Sequence, residues 1–199
     1  DVSHNIPYVK GIPMKIGYKG HMVVRGETFV TYETLDKINA ELPETEPPYK
    51  NCRNLASGSI RLYDSYESMK RKLQFKAFEL VYIDQDQPMT VPDELMPDMN
   101  DFSGRLEYLS LCGFDIVDHF VVDKDNLKDG IAAMEEKLET LHYPTDGLVL
   151  EYCDVVNHGT NLGNTGHHPL YGMAFKWEDE TEKTTLKEIV WQASRSGRI

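Results

Sequence analysis

Arg53 and Arg61 stand eight residues apart in the stretch Lys50-Asn51-Cys52-Arg53-Asn54-Leu55-Ala56-Ser57-Gly58-Ser59-Ile60-Arg61. Apart from Leu55 and Ile60, the side chains between them are small or hydroxylated. A guanidinium presents a fixed fork of donors, which suits phosphate and carboxylate oxygens. If Asn54 caps a helix that runs to Arg61, the spacing is a little over two turns and leaves both guanidinium groups roughly on one side. Ala56, Ser57, Gly58 and Ser59 would keep that helix thin, so that another backbone or a ligand could come close. The same spacing also fits a short surface helix with two solvated arginines, and the stretch alone leaves both readings open.

Three further segments carry chemistry. Residues 21–30 (HMVVRGETFV) read as a strand, with Arg25 and Glu27 on one face, Val24, Gly26 and Thr28 on the other, and Gly26 a candidate bulge or close approach. In residues 143–151 (YPTDGLVLE), alternation puts Gly147, Val149 and Glu151 on one face, suited to packing against a flat base. In residues 171–177 (YGMAFKW), Tyr171, Met173, Phe175 and Trp177 form a bulky face, and Lys176 stands on the other with Gly172 and Ala174.

Together these segments resemble, in order, those of the adenylation domain of NAD-dependent DNA ligases. The arginine stretch resembles N-P-R-N-x-A-A-G-S-L-R, with Cys52 where the family has proline and Ser57 where it has alanine. Glu27 matches the glutamate of V-R-G-E, which lines the adenylate pocket in that family. Phe78 falls where the family carries a tyrosine that stacks on adenine. Asp146 and Gly147 match x-x-D-G-V-V-x-K, whose aspartate supports the metal-dependent steps, and Lys176 matches the lysine of A-x-K-F that contacts the adenylate phosphate. Two positions depart: the closing lysine of the fourth motif is Glu151, and the arginine expected about eight residues before the aspartate is Leu138.

The resemblance implies an α+β nucleotidyltransferase domain, with mixed or antiparallel sheets and flanking helices around a nucleotide cleft. It implies NAD as adenylyl donor, Mg2+ held through Asp146, and a nicked double-stranded DNA partner. Arg53, Arg61, Asp146 and Lys176 would be the catalytic residues. Glu27, Arg53, Phe78, Gly147, Val149, Glu151 and Lys176 would hold NAD or AMP. Physically, such chemistry needs cations around a phosphorus that gains charge, a carboxylate for the metal and a stacking floor for the base. Phe78 and Val149 would form that floor. An ionised Glu151 can only accept, so it would suit the N6 amino group of adenine, whereas a lysine there would suit a ring nitrogen. In the family the nucleophilic lysine lies in K-x-D-G, a pattern absent from these 199 residues. The chain therefore reads as a ligase portion, inactive alone, with residues 1–190 the adenylation domain and 191–199 leading into an OB-fold domain. Two other readings stay open: a non-catalytic paralogue keeping an adenylate-binding pocket, and a related enzyme acting on RNA ends.

The elements that must position these residues follow from periodicity. Thr31 caps a helix over residues 32–42, and residues 73–83 alternate as a strand. Residues 84–101, with three prolines, read as a loop, an insertion or mobile flap. Ser103 then caps a helix over 104–112, residues 116–122 read as a strand, and Asp125 caps a helix whose Leu127, Ile131, Met134, Leu138 and Leu141 form a core stripe. The loop at 158–168, rich in histidine and glycine, offers no fixed ligand geometry, so no zinc is expected. No apolar run approaches the ~20 residues of a membrane span. Three scattered cysteines form no disulfide framework, which with the lack of a signal-peptide pattern suits the cytoplasm and a monomer. A net charge of -12 argues that any grip on DNA comes from a local patch or from regions outside this chain.

Overall fold

A hairpin of two long strands organises the chain, because among the described residues it is the one ladder with an apolar cluster at each end. In the computed structural model, which describes residues 1–84, 91–159, 161–166, 168–176, 183–192, 195 and 197, β1 (Met22–Phe29) is followed by α1 (Tyr32–Glu41), α2 (Cys52–Ser59) and α3 (Ser65–Lys70). Then come β2 (Gln74–Ile83), α4 (Phe102–Leu111), α5 (Leu127–Glu139), β3 (Leu148–Glu151), β4 (Asn164–Thr165), β5 (His168–Pro169) and β6 (Gly172–Phe175). Among the described residues the sheets are three antiparallel pairs, β1–β2, β3–β6 and β4–β5. The chain is thus mixed α and β with small antiparallel sheets.

β1 alternates as its sequence requires, with Val23, Arg25 and Glu27 exposed and Met22, Val24, Gly26 and Thr28 half-buried. Pairing with β2 runs from Met22 opposite Ile83 to Phe29 opposite Gln74, but the register slips twice, leaving Val81 and Phe78 without a partner. Each slip is a β-bulge, which twists the strand and re-aims its side chains. Gly26 is the close approach its type suggested: a Cβ there would lie 2.2 Å from Cζ of Phe75 and 2.4 Å from the Lys76 carbonyl oxygen.

The Phe75 ring packs on both clusters. One joins Val9, Val30, Ile38, Cys52, Leu55, Ala56 and Leu73, and so ties α1 and α2 to the hairpin. The other joins Ala77, Leu80, Leu106, Tyr108 and Leu109 beneath α4. Buried Asn5 fixes the chain beyond α2, donating from Nδ2 to the carbonyls of Ile60 (2.9 Å) and Leu62 (2.7 Å).

Several boundaries differ from the sequence reading for identifiable reasons. The cap of α2 is Asn51, which accepts from the Asn54 N–H at 2.8 Å, so Asn54 lies inside the helix and Arg61 beyond it. Cys52 is then the first helical residue, the position that proline favours. Asp101, not Ser103, caps α4, accepting from the Ser103 and Gly104 N–H groups. Asn126 occupies the cap position of α5, but its Oδ1 accepts from the Asp123 N–H rather than from the helix, and Asp123 in turn accepts from the Asp125 and Asn126 N–H groups. Residues 116–122 form no strand; one bridge pairs Ile116 with Ala77, because Ala77 N–H donates to Asp115 and its carbonyl accepts from Val117. Of the expected flap, residues 85–90 lie outside the described residues, while Val91, Met96 and Met99 pack on the second cluster. Trp177 and most of the expected 191–199 linker also lie outside the described residues.

Two glycines separate packing from helix propensity. Gly26→Ala should cost about 1–3 kcal/mol through overpacking against Phe75. Gly58, in α2, has nothing within 4 Å of where an added methyl group would stand, so Gly58→Ala should gain about 0.4–1 kcal/mol. Urea unfolding midpoints test both, and an unchanged midpoint in Gly26→Ala would mean that Phe75 does not lie across β1.

Candidate active site

The sheet β3–β6 brings the predicted residues to α2. Its approach is fixed at the far end of β1: the Tyr32 N–H donates to the His142 carbonyl at 3.0 Å, and the rings of Phe29 and Tyr143 lie 4.5 Å apart, tilted at 39°. Three residues on, Asp146 reaches Arg53, with Oδ2 3.5 Å from Nη1. Gly147 then takes φ +153°, and a Cβ there would lie 2.4 Å from the Phe175 carbonyl oxygen and 3.2 Å from Cγ of Lys176. Both backbone conformation and space therefore require glycine. The result is that Arg53, Asp146, Gly147 and Lys176 converge: the guanidinium meets the carboxylate, and the Lys176 chain packs at its Cγ on the glycine that follows.

This face is open. The side chains of Arg53 and Asp146 are 77% and 73% exposed, so their ion pair is worth about 0–1 kcal/mol and an anionic ligand can displace it cheaply. Val149, 65% exposed, presents an uncovered apolar surface on β3. Phe78, half-buried at the β2 bulge, belongs to neither core cluster, which leaves it unclaimed by core packing. Glu27 is exposed on β1 opposite Lys76, whose Nζ donates to the Ile116 carbonyl at 2.8 Å. Among the described residues no hydrogen bond or ion pair joins the Glu27, Phe78 or Arg61 side chains to the convergent four. Two surface cavities, about 380 and 520 Å³, lie elsewhere and are lined by none of the candidate catalytic or binding residues.

Glu151 follows a different course. It is paired neither with Arg53 nor with Lys176, and its side chain lies over Gly172, its cross-strand neighbour. Burial, and secondarily the charge of Glu79, push its carboxyl from the ordinary 4.5 up to about 7. Glu79 itself accepts from Arg25 Nη1 through Oε2 at 2.6 Å and from the Tyr171 hydroxyl through Oε1 at 3.3 Å. Burial raises the Tyr171 hydroxyl, with Glu79 and Glu151 adding to it. Sequence reasoning missed Glu79, whose only signal was that it adjoins Phe78, and it gave Tyr171 a place on the bulky face of segment 171–177 but no part in the site. It also missed Asn5, which positions the chain just before and after Arg61.

As to a metal, among the described residues no three His, Cys, Asp or Glu side chains are placed to hold an ion. Asp146 offers a single exposed carboxylate, which fits Mg2+ shared with substrate phosphates and water rather than a closed protein cage. His167 and the side chains of His158 and His168 lie outside the described residues. No helix among the described residues is long and apolar enough to cross a membrane.

The raised Glu151 carboxyl has a consequence for stability. Between about 4.5 and about 7 the folded chain holds a proton there that the unfolded chain has released, so stability falls as pH rises through that window. Glu151→Gln should remove this slope, melting above the wild type at pH 8 and close to it at pH 4.5. Thermal unfolding at the two pH values reads this directly, and parallel pH profiles for the two proteins would contradict it.

Comparison with known proteins identifies the family. The family model described as "NAD-dependent DNA ligase adenylation domain" matches residues 1–180. A DNA ligase of Lachnoclostridium phytofermentans is 37% identical over all of this chain and 29% of its own length. Those of Ruminiclostridium cellulolyticum and Brachyspira hyodysenteriae are 35% and 33% identical, again over all of this chain and 28% of their length. The chain thus spans less than a third of the curated relatives it matches. With the arginine, aspartate–glycine and lysine segments folded onto one face and the match running from Asp1 to residue 180, the chain belongs to the NAD-dependent DNA ligase adenylation domain family.

Proposed function

We propose that this domain handles the adenylyl group in an NAD-dependent DNA ligase, as a nucleotidyltransferase domain whose cleft is the face between α2 and the β3–β6 sheet. The observation that carries this reading is the convergence of Arg53, Asp146 and Lys176 around Gly147. In the reaction a lysine attacks the adenylyl phosphorus of NAD and nicotinamide mononucleotide leaves. The AMP passes to a DNA 5′-phosphate at a nick, and a 3′-hydroxyl displaces it to seal the strand. No K-x-D-G sequence occurs in residues 1–199, so the attacking lysine is read as belonging to another part of the polypeptide.

Each residue has a role that its position supports. Lys176 and Arg53 bind phosphate oxygens and offset the charge that grows at phosphorus; Arg61, beyond the end of α2, extends this cationic edge. The weak Arg53–Asp146 pair keeps both groups near the face before the phosphates arrive. Asp146 is the residue that would hold Mg2+ when Arg53 is engaged with phosphate, and the ion would supply neutralisation of phosphate charge. Gly147 lets the strand pass close under the ligand, Val149 and Phe78 give apolar faces to the adenine, and Glu27 and Glu151 lie at its rim. Residues 191–199 lead toward an OB-fold domain, nicked duplex DNA is the partner of the whole polypeptide, and a cytoplasmic monomer is the working form.

Two measurements test this. Residues 1–199 incubated with NAD and Mg2+ should show no adenylyl adduct by intact mass; a stoichiometric adduct would put the nucleophile inside this chain. In the ligase polypeptide that contains the domain, Arg53→Ala or Lys176→Ala should slow adenylyl transfer at least tenfold, roughly 1.4 kcal/mol of barrier. Arg53→Ala should leave the melting temperature nearly unchanged, since its ion pair is solvent-exposed. Normal transfer with a large loss of stability would make the arginine a structural residue.

A further inference from the structure

Glu151 stands where the matching motif ends in lysine, and no role above accounts for the change. Its carboxyl is partly buried at the end of β3, with Gly172 of β6 beneath it: a Cβ on Gly172 would lie 3.3 Å from Cγ and 3.4 Å from Oε1 of Glu151. The groups around it come from four other elements. Glu79 on β2 bears on it electrostatically, and so does Tyr171 in the turn before β6. Arg25 on β1 is bonded to Glu79, and Arg105 on α4 lies within the field of the same carboxylate while its Nε donates to the Met99 carbonyl. Among the described residues no cation forms an ion pair with Glu151.

Two neighbouring carboxylates in a partly dehydrated site do not both ionise cheaply. Glu79 has a donor on each oxygen, Arg25 on one and Tyr171 on the other. Among the described residues Glu151 has neither a donor nor a cation bonded to its carboxyl. The direction of its shift, up to about 7, agrees with that arrangement. A protonated carboxyl is a hydrogen-bond donor, like the lysine it replaces, whereas a carboxylate is an acceptor only.

We propose that Glu151 serves as a neutral carboxylic acid whose O–H donates to a ring nitrogen of the bound adenine, so that the Glu79–Glu151 pair performs the donor role of a lysine. This rests on the adenylate-site reading above, and it reverses the expectation that an ionised Glu151 accepts from the N6 amino group. The proton is shared in a hydrogen bond and stays on Glu151. Glu79, held by Arg25 and Tyr171, is a positioning residue that keeps that proton in place.

The two modes differ in the sign of their pH dependence. NAD suits the test because its pyrophosphate keeps the same charge from pH 6 to pH 8. For a donor that titrates at about 7, the dissociation constant of NAD for the 199-residue chain, measured by calorimetry, should rise roughly tenfold from pH 6 to pH 8. Glu151→Gln, which keeps a neutral donor at every pH, should flatten the profile near the wild-type pH 6 value. Glu79→Gln should move the loss of affinity to lower pH. Affinity that is flat in the wild type, or that tightens as pH rises, overturns the proposal. If it is flat while Lys176→Ala still weakens NAD binding, the adenylate site stands and only this role for Glu151 falls. If NAD does not saturate the chain at any pH, the site reading fails and the proposal with it. Should Glu151→Gln not fold, the wild-type and Glu79→Gln profiles still decide.

Discussion

The ring of Phe75 lies where the side chain of residue 26 would be, and most of the molecule depends on that overlap. A diagonal neighbour across an antiparallel pair ordinarily stands several ångströms away. Here the glycine lets an aromatic ring cover the other strand and touch the clusters under both α2 and α4. The hairpin therefore acts as a shared wall. One end carries α2, and with it Arg53; the other carries α4, and with it Arg105. The bulge between Gly26 and Arg25 is local to the same crossing, and it is the bulge that leaves Phe78 unpaired. Glu79 then falls directly opposite Arg25. A single missing methyl thus helps set the direction of the residues that face the second sheet.

What could be read from the sequence, and what could not, divides along the range of the interactions. β1 and α1 were legible because alternation and a Thr cap are local patterns, and Thr31 does accept from the Thr34 N–H. Caps failed where two polar residues competed a few positions apart: Asn51 against Asn54, Asp101 against Ser103. Each candidate is a good cap in isolation, and burial of Cys52 and of Gly104 decides between them. Residues 116–122 have strand composition but reach only one residue of β2, so no ladder forms. Gly26 marked the bulge beside Arg25 in advance, whereas the one between Val23 and Val24 had no signal, since a bulge is a property of the pair. In the proposed site, the segments alone single out Arg53, Asp146 and Lys176, and what the structure adds is contact: Arg53 pairs with Asp146, and Lys176 packs at its Cγ on Gly147. The parts of Glu79, Tyr171 and Asn5 were not legible, because their importance is contact across long stretches of chain.

The charge of the chain can be reconciled with an anionic ligand on the same grounds. A net charge of -12 describes the whole surface, whereas the cations of the proposed site are drawn from two separate segments, one carrying Arg53 and Arg61 and the other Lys176. Arg53, solvent-exposed and held by a 3.5 Å ion pair, is available at little cost. A tighter, buried pair would have had to be broken against a much larger penalty. In the proposed reading exposure serves the site: backbone and glycine contacts beneath hold it in position, while its charged tips remain exchangeable.

The two carboxyls on the opposite side of the face obey the contrary rule. Glu79 and Glu151 come from different sheets, and the Tyr171 hydroxyl spans between them, donating to Glu79 from the turn that leads into β6. Separation of the sheets would rehydrate Glu151 and remove Glu79 from its field, and its carboxyl would return toward the ordinary range. Protonation of Glu151 and closure of the β1–β2 hairpin on the β3–β6 sheet are therefore linked equilibria, each favouring the other. Lysine at this position would carry its donor protons whether or not the sheets were closed. A carboxyl carries one at neutral pH only when the face is assembled. The exchange of lysine for glutamate thus converts a permanent donor into one that exists because the fold around it is complete.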